Sequence, residues 1–277
     1  MTLTEKLDLF ATADFAAVGF LVAAWLFCDY VIEHPPARRI SVTVLMKSYR
    51  HDWMRHMVTR DPRIFDSGII DSFRAGATFF ASACMIAIGG GLAVLGNPQN
   101  LLGVARELTA DTAPIFVWQV KVTLVILFLM NAMMKFIWAH RLFGYCAVVM
   151  ASVPNDESDP VAYPRAAQTA EINITGGRSY ERALRSVYFA LGALGWLLGP
   201  LALAVATAAT VSALRVTVSP PETLVRWSLS TRAGHSTIGE VMGSAVARPA
   251  IGSASVGVVM SVGEKPTGTR KLPWGSL

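Results

Sequence analysis

The sequence predicts an all-α protein that lives in a bilayer: a bundle of four transmembrane helices with an amphipathic helix in its first cytoplasmic loop. Three observations predict it. Four long apolar stretches cover about 9–32, 75–97, 112–139 and 186–214, and a helix needs about 20 apolar residues to cross a bilayer core. Of the 277 residues, 53% are hydrophobic and only 16% are charged, whereas soluble domains carry about 25% charged residues. Lysine and arginine are concentrated in two of the connections between stretches. One membrane domain over residues 1–214 is expected, with no separate soluble domain.

Span one is bracketed by Asp14 and Asp29, 15 residues or about 22 Å apart along a helix. Its Gly19 and Ala23 offer a face for close packing. No cleavable signal peptide is expected: Glu5, Lys6 and Asp8 precede a stretch long enough to remain as a span. Residues 31–74 then hold eight basic side chains, and 141–185 hold five, while Arg106 is the one basic residue of 98–111. The positive-inside rule places the first and third connections in the cytoplasm. With four spans, both termini then face the other side of a cell inner membrane.

The first connection contains a helix over about 41–60. Leu45, Met46, Tyr49, Trp53, Met54 and Met57 recur at helical spacing, with Lys47, Arg50, Arg55 and Arg60 between them and Ser41 as N-cap. Such a helix suits either the membrane surface, where basic groups meet anionic lipid heads, or docking on the bundle. Arg60, Asp61, Arg63, Asp66, Asp71 and Arg74 follow as a dense alternation of charge. With His140 and Arg141 they form a candidate polar cluster at the cytoplasmic face, serving an ion network or a charged ligand.

Span two carries Ala83, Ala87 and Gly91 at four-residue spacing, and span four carries Gly195 and Gly199 in a GxxxG run. Small residues let helices approach closely in lipid, which gives no hydrophobic drive to associate. Span three is bulky, with Asn131 expected to bond across to a neighbour. Its Lys121 and Lys135 lie 14 residues apart, about 21 Å. Intramembrane charges usually face inward and pair, so two layers are expected, Asp14–Lys121 and Asp29–Lys135. The helix continues past the interface toward Ser152, where Pro154 and an acidic run break it. A short helix over about 165–174, ended by Gly176-Gly177, should precede span four, which Ser179 caps and Pro200 kinks.

The last 63 residues, 215–277, hold eight glycines, five prolines and seven basic residues against three glutamates, with no sustained period. They read as a disordered tail or as a reading-frame artefact after span four.

The runs Tyr49-Arg50-His51-Asp52-Trp53-Met54-Arg55, Arg60-Asp61-Pro62-Arg63-Ile64-Phe65-Asp66 and Phe136-Ile137-Trp138-Ala139-His140-Arg141-Leu142-Phe143-Gly144-Tyr145 resemble the "domain of unknown function 599" family. Phe79-Phe80-Ala81-Ser82 and Tyr188-Phe189-Ala190-Leu191 fit it too, so the resemblance covers about 7–214. It implies an integral membrane protein of about four spans, with no established activity and no catalytic residues to carry over. The tail is unlike the family.

The residues themselves nominate no catalytic, cofactor or metal site. P-loop, HExxH, GxSxG and dinucleotide signatures are missing. Cys28, Cys84 and Cys146 lack ligand spacing and read as small buried hydrophobes. None of His34, His51, His56, His140 and His235 lies at the centre of a span. Three functions remain: a non-enzymatic scaffold or accessory subunit, an oligomeric transporter or channel for small solutes, and lipid-head-group binding or modification at the cytoplasmic face. The expected partners are anionic lipids and a membrane protein, either a second copy or another chain, and no nucleic acid.

Overall fold

The computed structural model describes residues 9–33, 42–97, 99, 103 and 114–218, and within them the chain is helical without strands. Helix α1 is Thr12–Glu33, α2 Val42–Met57, α3 Ile64–Gly96, α4 Ile115–Ala151 and α5 Ala162–Ala193; a 3-10 turn, Leu194–Leu198, leads into α6, Pro200–Val218. Helices α1, α3 and α4 are each long and apolar enough to cross a membrane. Ser41 and the 215–277 tail beyond Val218 lie outside the described residues.

Three helices, α3, α4 and α5, are longer than a bilayer core. At 37 residues, α4 is about 55 Å long, some 25 Å more than a hydrocarbon core of about 30 Å. It ends at Ala151, just before Pro154, as the sequence suggests. Asp156 and Asp159 then close the α4–α5 turn, accepting the backbone N–H groups of Ser158 (2.9 Å) and Val161 (2.8 Å). The N-terminal parts of α3 and α5 and the C-terminal part of α4 pack with α2 around their own apolar core. Met54, Met57, Val58, Ile70, Cys146, Met150, Ala162 and Ala166 are all buried in it. Between the bilayer-length parts, Phe136 stacks on Phe80 (5.3 Å, 13°) and meets the Tyr180 ring edge-on. At the far end Leu21, Phe128, Phe189, Trp196 and Leu203 fill a third core.

Two expectations change. The separate helix over 165–174 and the span beginning at Ser179 are one helix: α5 runs unbroken through Gly176 and Gly177, and the Ser179 hydroxyl bonds back to the Thr175 carbonyl (3.1 Å). Nor is span four a single kinked helix. Gly199 has φ +122°, and the chain reverses there. A Cβ on Gly195 would lie 3.0 Å from Ala202, and one on Gly192 would lie 2.9 Å from Thr210, so α5 and α6 pair antiparallel. Glycine takes this conformation readily, and proline suits the first position of a helix because its missing N–H needs no partner there. Asp14 meets Trp196 at one end of the bundle, while Arg215 acts on Cys28 near the other. Thr12 and Val218 therefore end the described chain at opposite ends of the bundle.

Candidate functional site

The densest polar group lies where α1, α4 and α5 meet. Asp29 and Glu33 are four residues apart on α1, Arg182 and Arg185 three apart on α5, so each pair shares a helix face. Arg185 Nε donates to Asp29 (2.6 Å), and Arg182 grips Glu33 with Nε and with Nη2 (2.5 Å). A planar guanidinium holding a carboxylate with two donors is strong and directional. Arg185 is 5% exposed, and its Nη2 also lies 3.8 Å from Glu33. From α4, Lys135 sits 3.5 Å from the Ser186 hydroxyl and 5.5 Å from the centre of the Trp25 ring. Asn131 donates across to Ser186 as well (3.1 Å), the interhelical bond expected of it.

This arrangement revises the two expected layers. In place of the expected Asp29–Lys135 pair, Asp29 takes Arg185, because the arginines of α5 sit directly opposite α1; Lys135 stays within range of the Asp29 and Glu33 charges. In the outer layer Asp14 accepts the Trp196 indole N–H (2.7 Å) and the Ala11 amide (3.2 Å), since the 3-10 turn brings Trp196 onto it. Lys121 is buried, 4.9 Å from the Trp118 ring centre.

The eight residues of the candidate cytoplasmic cluster separate into smaller groups. Asp66 is fully buried and binds the Trp53 indole (2.7 Å) and Arg60, tying α2 to the start of α3. Arg63 donates to the carbonyls of Val153 (2.6 Å) and Pro154 (2.8 Å), in the turn that follows α4. Asp61 lies exposed in the α2–α3 turn. Asp71 and Arg74 pair loosely on α3 (3.5 Å), His140 Nδ1 shares a hydrogen bond with Thr78 (3.1 Å), and Arg141 donates to Tyr145 (2.9 Å). These contacts lie within helices or tie neighbouring ones together rather than line one pocket. The cysteines Cys28, Cys84 and Cys146 are free and buried, and the described residues hold no metal-ligand group.

Arg50, one of the basic residues of the amphipathic helix, is a site residue that sequence alone does not single out. It donates to the Asn173 carbonyl (3.1 Å) and side chain, and lies 5.2 Å from the Phe73 ring centre. Burial holds its guanidinium below the ordinary arginine range, with Glu181 opposing the shift. A Cβ on Gly177 would come within 2.8 Å of it, so the glycine makes its seat. Lys47, Arg178 and Glu181 line a shallow cleft around it, floored by Ile174 and Gly177. A wider cleft of about 510 Å³ opens between α4 and α5 past His51, which lies 3.3 Å from Glu171.

The small residues expected to pack helices divide in two. Gly91 lies against Ile126 and Gly195 against α6, whereas Ala83 and Ala87 are exposed. On α3, Gly68, Ala75, Ser82, Gly89 and Gly96 recur every seven residues, and all five are exposed. No described helix covers that stripe.

No curated protein and no solved structure matches the chain. A family model does match, over residues 16–217, and that span covers every helix from α1 to α6 apart from a few terminal residues. The chain thus belongs to the family described as "Protein of unknown function, DUF599".

Proposed function

We propose that this protein is a non-enzymatic, multi-pass membrane scaffold or accessory subunit that receives a partner's transmembrane helix along the outer face of α3. The carrying observation is the exposed seven-residue repeat of Gly68, Ala75, Ser82, Gly89 and Gly96. A seven-residue repeat keeps one face in register with a partner helix wound around it in a left-handed supercoil, and small side chains let two backbones approach closely in lipid. The ion pairs between α1 and α5 and the ties around Asp66 and Arg63 are consistent with a rigid support.

Five crossing segments fit the fold better than four: α1, α3, α4, the C-terminal half of α5, and α6. The end that carries α2 is the basic one, and the positive-inside rule makes it cytoplasmic. The chain then enters α1 from the non-cytoplasmic side and leaves α6 on the cytoplasmic side of an inner membrane, in place of two non-cytoplasmic ends. The amphipathic helix α2 is docked by Leu45, Met54 and Met57, and at the cytoplasmic end its basic residues would meet anionic head groups.

Native mass spectrometry of the protein extracted gently from its own membranes tests the proposal. A second polypeptide or a second copy, lost on Gly89→Leu, is expected. A single chain carrying only lipid would overturn it.

A further inference from the structure

We propose that Lys47 and Arg178, on either side of Arg50, bind the phosphate group of an anionic molecule at the cytoplasmic interface. Lys47 and Arg50 lie three residues apart on α2, and Arg178 follows Gly177 on α5, so the three cations converge on one cleft. Their roles differ. Arg50 is committed, bonded twice to Asn173 and wedged on Gly177. Lys47 and Arg178 make no hydrogen bond or ion pair in the described residues, although both line the cleft. Glu181 at its lip has an interaction of its own and leaves the cleft net positive.

Depth points to the same ligand. Arg178 lies one turn, about 6 Å, beyond Arg182, and Arg182 is held by Glu33 at the end of α1. Helix α1 is long and apolar enough to cross a membrane, and a phosphate head group would then meet Arg178 just past its end. A guanidinium fork beside a compact ammonium suits the several oxygens of a phosphate better than a single carboxylate.

The full chain in detergent is incubated with phosphatidylglycerol or phosphatidylcholine, and retained lipid is read by native mass spectrometry. Inorganic phosphate is titrated in a parallel arm by phosphorus NMR line broadening. Wild type should retain phosphatidylglycerol preferentially, and Lys47→Gln with Arg178→Gln should bind it at least about tenfold more weakly. Lys47→Arg with Arg178→Lys, which keeps both charges, should retain it and guards against a folding artefact. Arg165→Gln with Arg215→Gln, two exposed residues outside the cleft that remove equal charge elsewhere, should also retain it. Broadening of inorganic phosphate lost in the same neutral double variant, without lipid preference, would assign the site to a soluble phosphate ester. Equal phosphatidylglycerol retention and equal phosphate broadening in wild type and the neutral variant would overturn the proposal. The α3 face takes no part in any arm, so this outcome and that of the partner experiment are separable.

Discussion

Replacing Asp29 with leucine strands a charge that the fold has buried. Arg185 is 5% exposed and donates to Asp29 at 2.6 Å. Removing one partner of a buried ion pair costs about 3–5 kcal/mol, because the other charge is left without compensation. Here Glu33 remains 3.8 Å from Arg185 Nη2 and can take part of the load, so the loss should fall near about 2–3 kcal/mol. For a chain of this size that is a fall of about 5–12 °C in Tm, read by thermal unfolding in a mild detergent. The double variant Asp29→Leu, Arg185→Leu should recover most of the loss, since apolar pairs of similar volume replace buried ion pairs at little cost. An Asp29→Leu protein within about 0.5 kcal/mol of wild type, or a double variant as unstable as the sum of its singles, would refute the reasoning.

Gly199→Val should cost about 1–3 kcal/mol in the same assay, because valine resists the φ of +122° that the α5–α6 reversal requires; an unchanged Tm would contradict that conformation. Trp53→Phe removes the 2.7 Å donor from buried Asp66 and should destabilise by about 1–3 kcal/mol; a smaller effect than that of Arg55→Gln would argue against the tie. Gly177→Leu should push Arg50 off Asn173 and raise hydrogen exchange in 42–57 while α4 stays protected; uniform exchange across both helices would count against a local seat. In a chain whose native cysteines are replaced, Ala11→Cys should react with an impermeant maleimide from outside the cell and Val218→Cys only after lysis. Labelling of both from one side would rule out the hairpin.

The helical class and the long apolar helices were legible because their signal is cumulative: some twenty residues agree before any one matters. Span four shows where that signal fails. Its 29 residues from Ser186 to Leu214 lack any charge, so hydropathy alone merges two antiparallel segments into one crossing. The discriminating signal was local, the pair Gly199-Pro200, in which one residue can take a positive φ and the next can open a helix. Gly176-Gly177 misled in the opposite sense. Glycine pairs often end helices, yet here they make room for Phe143 and Arg50 inside one. The ion pairs were hard to foresee because Arg182 and Arg185 precede the apolar run, and only the unbroken α5 carries them opposite α1. Asp14 illustrates the same limit, since its partner Trp196 sits 182 positions away on a turn that periodicity does not register.

The length of α4 has a mechanical consequence. Its 37 residues form one uninterrupted rod from Ile115 to Ala151, gripped by α2, α3 and α5 at its far end. A rod transmits angle. A tilt of about 10° pivoting at Ile115 carries Ala151 sideways by about 10 Å, given a rise of about 1.5 Å per residue. A tilt imposed at the Ile115 end is thereby carried to the parts of α2, α3 and α5 packed on the far end, with no hinge in α4 to absorb it.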